Sequence, residues 1–237
     1  MTRVLLCLLL VLLGAPLRAD TERATYDAVL LGLPVGRLEV AWRLDDGAYA
    51  ASTAFRAAGL ARLVSSGVYA GSSEGTRRAG RLIPGAVETE RDFGRRPFKV
   101  RMRYADGVPE ILSLSPDTAR YRRLDPATQG GTLDPVSFAL AFLRPVAATE
   151  ACGRQFELFD GARRSRIEVG PALREGGLLR CAGRYLRVDG YTPEELAERT
   201  EYAFSAVFAA VAGGQVRLVE VDFDSLLGPA ALRLRSE

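Results

Sequence analysis

Histidine is absent from all 237 residues of the chain. Without it, Ser-His and Cys-His nucleophile pairs, imidazole-ligated metal sites and imidazole acid-base catalysis are excluded. Lysine is nearly absent, so a Ser-Lys dyad would have to recruit Lys99. The sequence also lacks the G-x-S-x-G pattern of a nucleophile elbow and the glycine spacing of a phosphate-binding loop. We therefore favour a non-catalytic protein that needs no metal and no cofactor.

Long apolar runs are also missing, apart from residues 4–13. That run is too short to span a bilayer, which takes about 20 apolar residues. A basic residue precedes it, and the small residue Ala19 follows at a position suited to signal peptidase. We interpret residues 1–19 as a cleaved signal peptide and residues 20–237 as a single β-rich domain. The mature chain is then periplasmic, without a transmembrane segment.

Cysteine is scarce, and its positions indicate a disulfide. Cys7 leaves with the signal peptide, so the mature chain keeps Cys152 and Cys181. An even pair in an oxidising compartment favours a bond between them. That bond requires residues 171–177 to form a turn and the next strand to begin at Leu178. Cys152 must then lie in a loop that crosses the end of the sheet.

The charge balance gives no reason to expect a nucleic-acid partner. The formal charge of +3 falls to +1 when Arg3 and Arg18 are removed with the signal peptide. A chain this close to neutral has no global attraction for polyanions. The most basic stretch, from Arg95 to Arg103, also lacks an interleaved row of aromatic side chains that could stack on bases.

Alternation of apolar and polar residues dominates the chain and predicts antiparallel β structure. One apolar face runs from Leu38 to Leu44, a turn follows at residues 45–47, and the alternation resumes from Tyr49. We expect ten to thirteen strands with short connections. The predicted strands cover residues 24–31, 37–44, 49–55, 68–78, 82–92, 99–104, 111–114, 154–159, 163–170, 178–188, 216–225 and 230–235.

Three short helical segments interrupt the strands, at 57–65, at 135–143 and from Thr192. Residues 135–143 follow Asp134, a good N-cap, and begin with proline at the first helical position. Because this helix is apolar nearly all round, it must be covered on every side. We predict a strongly curved, open barrel or spiral-like sheet whose concave side is filled by this helix.

Six short motifs are spread over the predicted mature chain, at Gly32 to Gly36, Gly59-Leu60, Gly80 to Pro84, Asp134 to Ser137, Phe159 to Gly161, and Asp222 with Gly228. Together these motifs resemble an exported bacterial family known as a domain of unknown function. The resemblance implies a secreted antiparallel fold, an open barrel or spiral, and supplies no catalytic residues.

Two charged surfaces are candidate sites. Glu220, Asp222 and Asp224 fall on one strand face, where carboxylates serve either as acid and base on a glycan or as calcium ligands. The simpler interpretation is a solvent-facing side. A basic strand face has the chemistry to meet anionic lipid headgroups or an acidic envelope polymer, or it is also a solvated side balanced by acidic strands. Its residues are Arg95, Arg96, Lys99, Arg101 and Arg103.

A strongly curved sheet leaves a cleft, and clefts of this kind hold ligands. We therefore expect a periplasmic binding or envelope-maintenance protein whose concave sheet holds a lipid or another apolar, envelope-derived ligand. One alternative is a structural protein with a packed cavity that docks to another envelope protein. The other is a carboxylate-dependent glycan hydrolase. The candidate ligand-binding residues are Trp42, Phe138, Phe142, Arg101 and Arg103.

Overall fold

The computed structural model describes residues 20–59, 67–92, 97–116 and 124–236. The predicted signal peptide lies outside these residues, as do Arg95, Arg96 and most of the helix expected at 57–65. Among the described residues, no helix is long and apolar enough to cross a membrane.

The described chain is mainly β, as predicted, with strands that alternate between buried and exposed side chains. The strands are β1 (Glu22–Leu30), β2 (Leu33–Asp45), β3 (Ala48–Ala57), β4 (Val68–Arg78), β5 (Arg81–Asp92), β6 (Phe98–Ala105), β7 (Val108–Ser115), β8 (Val146–Ala147), β9 (Arg154–Phe159), β10 (Arg164–Val169), β11 (Leu173–Glu175), β12 (Leu178–Asp189), β13 (Glu201–Ala210), β14 (Gln215–Ser225) and β15 (Gly228–Leu234).

The fifteen strands of the described residues belong to one antiparallel sheet, whose two edge strands are β7 and β9. Its main path contains thirteen strands in the order β7-β6-β5-β4-β3-β2-β1-β15-β14-β13-β12-β10-β9. The short strands β8 and β11 pair beside this path with β14 and β12. The predicted antiparallel sheet is confirmed, and its main path has the largest strand number expected. The prediction missed three strands, β8, β11 and β13.

The helices within the described residues are short and lie in the second half of the chain. They are α1 (Pro135–Leu143), α2 (Ala148–Ala151) and α3 (Pro193–Glu198), with two 3-10 turns at Pro126–Thr128 and Ala212–Gly214. Asp134 caps α1 by accepting hydrogen bonds from the backbone N–H groups of Val136 and Ser137. Thr192 and Glu195 form the predicted capping box of α3. Both predicted helix starts are therefore confirmed.

Helix α1 fills the concave side of the sheet, as the sequence predicted. It contacts strands from both halves of the main path, including β3, β4, β9 and β14. Val136 and Leu140 are fully buried against a core that also contains Trp42 and Phe208. The helix is apolar on all sides because strands surround it.

A segment without strand structure links the two sheet edges. Gly131 N–H donates to the Gly107 carbonyl in the β6–β7 turn at 2.9 Å. Leu133 then exchanges backbone hydrogen bonds with β9, donating to Glu157 at 2.8 Å and accepting from Phe159 at 2.9 Å. The sheet is thus open as a ladder, but residues on the path into α1 bridge its two edges.

Glycines inside the strands let neighbouring aromatic rings lie flat on the concave face. A Cβ atom built on Gly183 would be 2.2 Å from the Phe204 ring, and one on Gly36 would be 2.5 Å from the Phe55 ring. Glycine inside a strand typically marks such a close approach. These positions leave room for the two rings close to the strand backbone.

Cys152 and Cys181 form a disulfide, with their Cα atoms 5.9 Å apart. Cys152 follows α2 and lies outside the ladder, while Cys181 is in β12, which begins at Leu178. The turn between β10 and β12 also contains the short strand β11. The structure supports the predicted pairing and the register on which it depended.

Candidate functional site

On the concave face of β3, β12, β13 and β14, burial decreases along the strands toward one end. On β13, for example, Phe208 is buried and Phe204 is half-buried. On β2, Leu38 and Leu44 are half-buried on either side of the buried Trp42, and Gly36 is buried. We call the half-buried end, toward the β1–β2 and β14–β15 turns, the open end. Its concave face carries Leu38, Phe55, Tyr185, Phe204, Val221, Phe223 and Leu232.

Aromatic side chains connect α1 to this end of the sheet. Phe138 and Phe142 stack one helical turn apart, with ring centroids separated by 5.5 Å. Phe138 meets Phe156 edge-on at 5.3 Å, and Phe142 meets Phe204 at 6.3 Å. Such pairs contribute to stability beyond the area that they bury. Phe142 is buried, whereas Phe138, Phe156 and Phe204 retain solvent-accessible surface.

A polar frame lies on β10, β12 and the segment after β12. The hydroxyls of Ser165, Tyr185 and Tyr191 are mutually hydrogen-bonded, at 2.7 Å between Ser165 and Tyr185 and at 2.6 Å for the other two pairs. Burial, followed by the nearby Tyr185 side chain, raises the pKa of Tyr191 well above its ordinary value. The Tyr191 phenol therefore remains neutral, and the three hydroxyls act as a hydrogen-bonded frame.

Two largely buried arginines attach α3 to this frame. The guanidinium groups of Arg163 and Arg187 each lie 5.3 Å from the centroid of the Tyr191 ring. Arg163 also donates to the Glu195 carboxylate at 2.6 Å, and Arg187 donates to the Glu195 and Arg199 carbonyl oxygens. Helix α3 is therefore fixed at the end of β12.

A second polar network surrounds the start of α1. Asp134 is fully buried, and its carboxylate accepts hydrogen bonds from the backbone N–H groups of Val136 and Ser137 and from the hydroxyls of Ser73 and Ser137. Burial raises the pKa of the Asp134 carboxyl, although these hydrogen bonds act in the opposite direction. Tyr49 donates to or accepts from Ser137 at 2.6 Å, and burial raises its pKa to about 12. This network positions α1 rather than a ligand.

The five candidate ligand-binding residues do not share one site. Trp42 and Phe142 are in the core, and Phe138 is half-buried above it. Arg101 and Arg103 lie on the opposite face of β6 from Val100 and Met102, exposed to solvent. Only the aromatic members adjoin the concave face.

Acidic residues on neighbouring strands balance the described part of the basic face. Lys99 pairs with Glu90 at 2.7 Å, and Arg103 pairs with Glu110 at 2.6 Å. Arg101 is near Glu88 at 3.9 Å. Exposed pairs of this kind stabilise a protein by less than about 1 kcal/mol. The pairing agrees with the interpretation of this strip as a solvated side.

Glu220, Asp222 and Asp224 lie on one face of β14, as the alternation predicted. Glu220 accepts a hydrogen bond from Arg233 at 3.2 Å. Partial burial and the neighbouring Glu220 charge raise the pKa of Asp222 above its ordinary value. In the groove of about 370 Å³ on this outer face, both lining carboxylates, Asp222 and Asp224, come from the same strand. Among the residues that line this groove, no carboxylate comes from another strand, as a pair of carboxylates on either side of a glycan would require.

The outer face of β1 to β5 carries another shallow groove, of about 440 Å³. Small and polar side chains line its floor, among them Ala41, Ser52 and Ala54, and Glu88 and Glu90 stand at one side. This lining is not the continuous apolar surface that a lipid requires. Among the described residues, no group of three or more histidine, cysteine, aspartate or glutamate side chains could hold a metal ion.

Sequence reasoning missed most of the residues at the open end. Phe204 lies on the strand that was not predicted, and Arg163, Arg187 and Tyr191 meet only through the register of β10 and β12. The available signal was the sequence from Glu201 to Ala210, in which Tyr202, Phe204, Ala206 and Phe208 alternate. This alternation would have indicated the strand, but not that Phe204 lies near Phe142 at the open end.

No protein-family model matches the chain, and no curated protein matches it. Among solved structures, the chain is similar to the crystal structure of a β-barrel-like protein of the domain of unknown function DUF1849 from Brucella abortus. The sequence identity is 14%, the match covers 92% of this chain and 97% of that chain, and the TM-score is 0.49. That protein, like the family suggested by the motifs, is a β protein of unknown function.

Proposed function

We propose that this chain is an exported, non-catalytic binding protein that holds an apolar group, such as a lipid acyl chain, at the open end of its concave sheet. The carrying observation is the change in burial along β3, β12, β13 and β14. The disulfide supports an oxidising compartment, in which such bonds persist.

Half-buried apolar side chains on a concave surface favour an apolar ligand. Covering apolar surface contributes about 25 cal/mol for each Å² removed from water. Leu38, Phe204 and Val221 are on strands that the core and the disulfide already hold in place. A ligand at the open end would therefore meet a preformed lining, which lowers the entropic cost of binding.

The structural alternative, a packed protein that docks to another envelope component, has support from α1. Val136, Leu140 and Leu218 have no or almost no exposed surface, so the part of the concave face around them is filled. The two functions differ only in whether the open end accepts a ligand.

A fluorescent apolar probe separates these two functions. We expect N-phenyl-1-naphthylamine to bind the purified protein with increased emission and to be displaced by a fatty acid. Leu38→Glu places a charge on the concave lining and should abolish the signal. Leu112→Glu is the matched control, because Leu112 is a 52% exposed leucine on β7. The control should bind the probe like the unmodified protein.

If Leu38→Glu fails to fold, the emission of the buried Trp42 will change, and a second variant is then needed. Ala230 pairs with Leu30 and Phe223, so it lies at the open end of the sheet. Ala230→Phe therefore fills this end without adding a charge. It should weaken probe binding while the protein remains folded. Probe binding that survives Ala230→Phe and a folded Leu38→Glu would refute the proposed site.

A further inference from the structure

Two neighbouring turns at the open end present leucines to solvent. Leu31 and Leu33 of the β1–β2 turn are 62% and 60% exposed, and Leu226 and Leu227 of the β14–β15 turn are 46% and 73% exposed. The turns touch, because Leu31 N–H donates to the Pro229 carbonyl at 2.8 Å. We call these two turns, residues 30–34 and 225–229, the leucine tips.

Leucine is an unfavourable residue at position 31, because the turn requires a positive φ there. Leu31 has a φ of +52° and is followed by Gly32, the two left-handed positions of a tight hairpin. A bulky residue with positive φ is uncommon and costs conformational energy. The corresponding turns at the other end of the sheet have Ala79 and Asp106 in the same position. The Leu31 side chain lies over Gly228 of the neighbouring turn and yet stays 62% exposed, and strain of this kind points to function.

Several polar groups of the leucine tips already have partners within the protein. Leu227 N–H donates to the Ser225 hydroxyl at 3.1 Å, and that hydroxyl donates to the Gly228 carbonyl at 2.7 Å. Pro34 and Pro229 have no N–H group. Neither tip contains a charged side chain. Because some of their donors are satisfied internally, these turns can enter the interfacial layer of a bilayer at a lower cost than turns with every polar group unpaired.

We propose that the leucine tips insert into the interfacial layer of a phospholipid bilayer, so that the open end faces the membrane. Projecting turns suit a fluid layer, into which apolar side chains enter by about 5–10 Å. A rigid protein partner would instead need a pocket for each turn. This proposal rests on the exposed turns and is independent of whether the concave face holds a ligand.

The absence of charge on the tips sets the lipid dependence. Insertion should be driven by apolar burial, so it should occur on phosphatidylcholine vesicles and on mixed phosphatidylethanolamine and phosphatidylglycerol vesicles. It should change little with salt, which screens only the electrostatic contribution. Docking through the basic face around Arg101 and Arg103 would instead require anionic lipid and would weaken as salt is added.

Vesicle flotation of the purified protein tests the proposal. Leu227→Glu should bind both vesicle types at least about tenfold more weakly. The reason is that a leucine side chain that the bilayer would bury is replaced by a charged one. The matched control is Leu173→Glu, since Leu173 is a 66% exposed leucine on β11 at the other end. It should bind like the unmodified protein. All variants are purified as the same mature chain, without the predicted signal peptide, so differences between them report the tips.

Leu227→Trp provides a second readout, because the native Trp42 is buried in the core. Vesicles that contain brominated phosphatidylcholine should quench the emission of the new tryptophan. The proposal is overturned if the unmodified protein does not float with either vesicle type, if Leu173→Glu is as weak as Leu227→Glu, or if the quenching is absent. It is also overturned if Leu227→Glu converts a stable dimer to a monomer, since a second copy would then cover the tips. Probe binding by Leu227→Glu in solution would leave the proposed function intact.

Discussion

Removing the Phe142 ring should cost more stability than any other single truncation in α1. The ring is 6% exposed and lies 5.5 Å from Phe138, 6.3 Å from Phe204 and 6.0 Å from Phe208, measured between centroids. Replacing a buried phenylalanine with alanine costs about 3–5 kcal/mol, because apolar contacts are lost and a cavity remains. Strands on several sides of α1 prevent the site from collapsing, so we expect the upper half of that range.

Urea unfolding followed by Trp42 emission measures this loss. Trp42 is the only tryptophan and belongs to the same core as Phe142, so its signal reports the relevant packing. The disulfide should stay oxidised in both proteins, so that the unfolded states are comparable. Leu112→Ala is the control, because its side chain is exposed, and it should cost less than about 0.5 kcal/mol. A loss below about 1 kcal/mol for Phe142→Ala would refute the packing of α1 described here.

Three further predictions concern the disulfide, the buried carboxyl and the N-terminus. Replacing both Cys152 and Cys181 with serine should lower the free energy of unfolding by about 3–4 kcal/mol, as expected for a loop of 29 residues, and equal urea midpoints would contradict this. Because the pKa of Asp134 is raised in the folded protein, the folded state keeps the carboxyl proton at a pH where the unfolded state has lost it. The contribution of Asp134 to the free energy of unfolding therefore falls as the pH rises above about 4. The stability difference between the unmodified protein and Asp134→Asn should therefore shift against the unmodified protein between pH 4 and pH 7, and a constant difference would exclude the effect. Mass spectrometry of the exported protein should find a mature chain that begins at or near Asp20, whereas an intact Met1 would contradict the signal peptide.

The sequence predicted the features that depend on local patterns. The β2–β3 hairpin follows from alternation around a turn, and α1 follows from a capping aspartate, a proline and an apolar run. The plugged concave side was also predictable, because a helix apolar on all sides must be covered. The pairing of Cys152 with Cys181 followed from the number of cysteines and from the position of the turn before β12.

Other features depend on contacts that no local pattern encodes. Strand β13 was missed because Ala203, Val207 and Ala209 on its other face are also apolar, which weakens the alternation of Tyr202, Phe204, Ala206 and Phe208. The burial change toward the open end depends on how far α1 extends along the curved sheet. Trp42 was expected among the ligand-binding residues because an aromatic on an alternating strand serves equally well as core or as lining.

The central claim, that the open end of the concave sheet holds an apolar group, is tested most directly by native mass spectrometry. The protein should be purified without detergent from the compartment in which it resides. We predict a population heavier than the mature chain by the mass of a lipid, which extraction with organic solvent removes and which Ala230→Phe lowers. A spectrum that contains only the mass of the chain, with the same result for Ala230→Phe, would contradict the account.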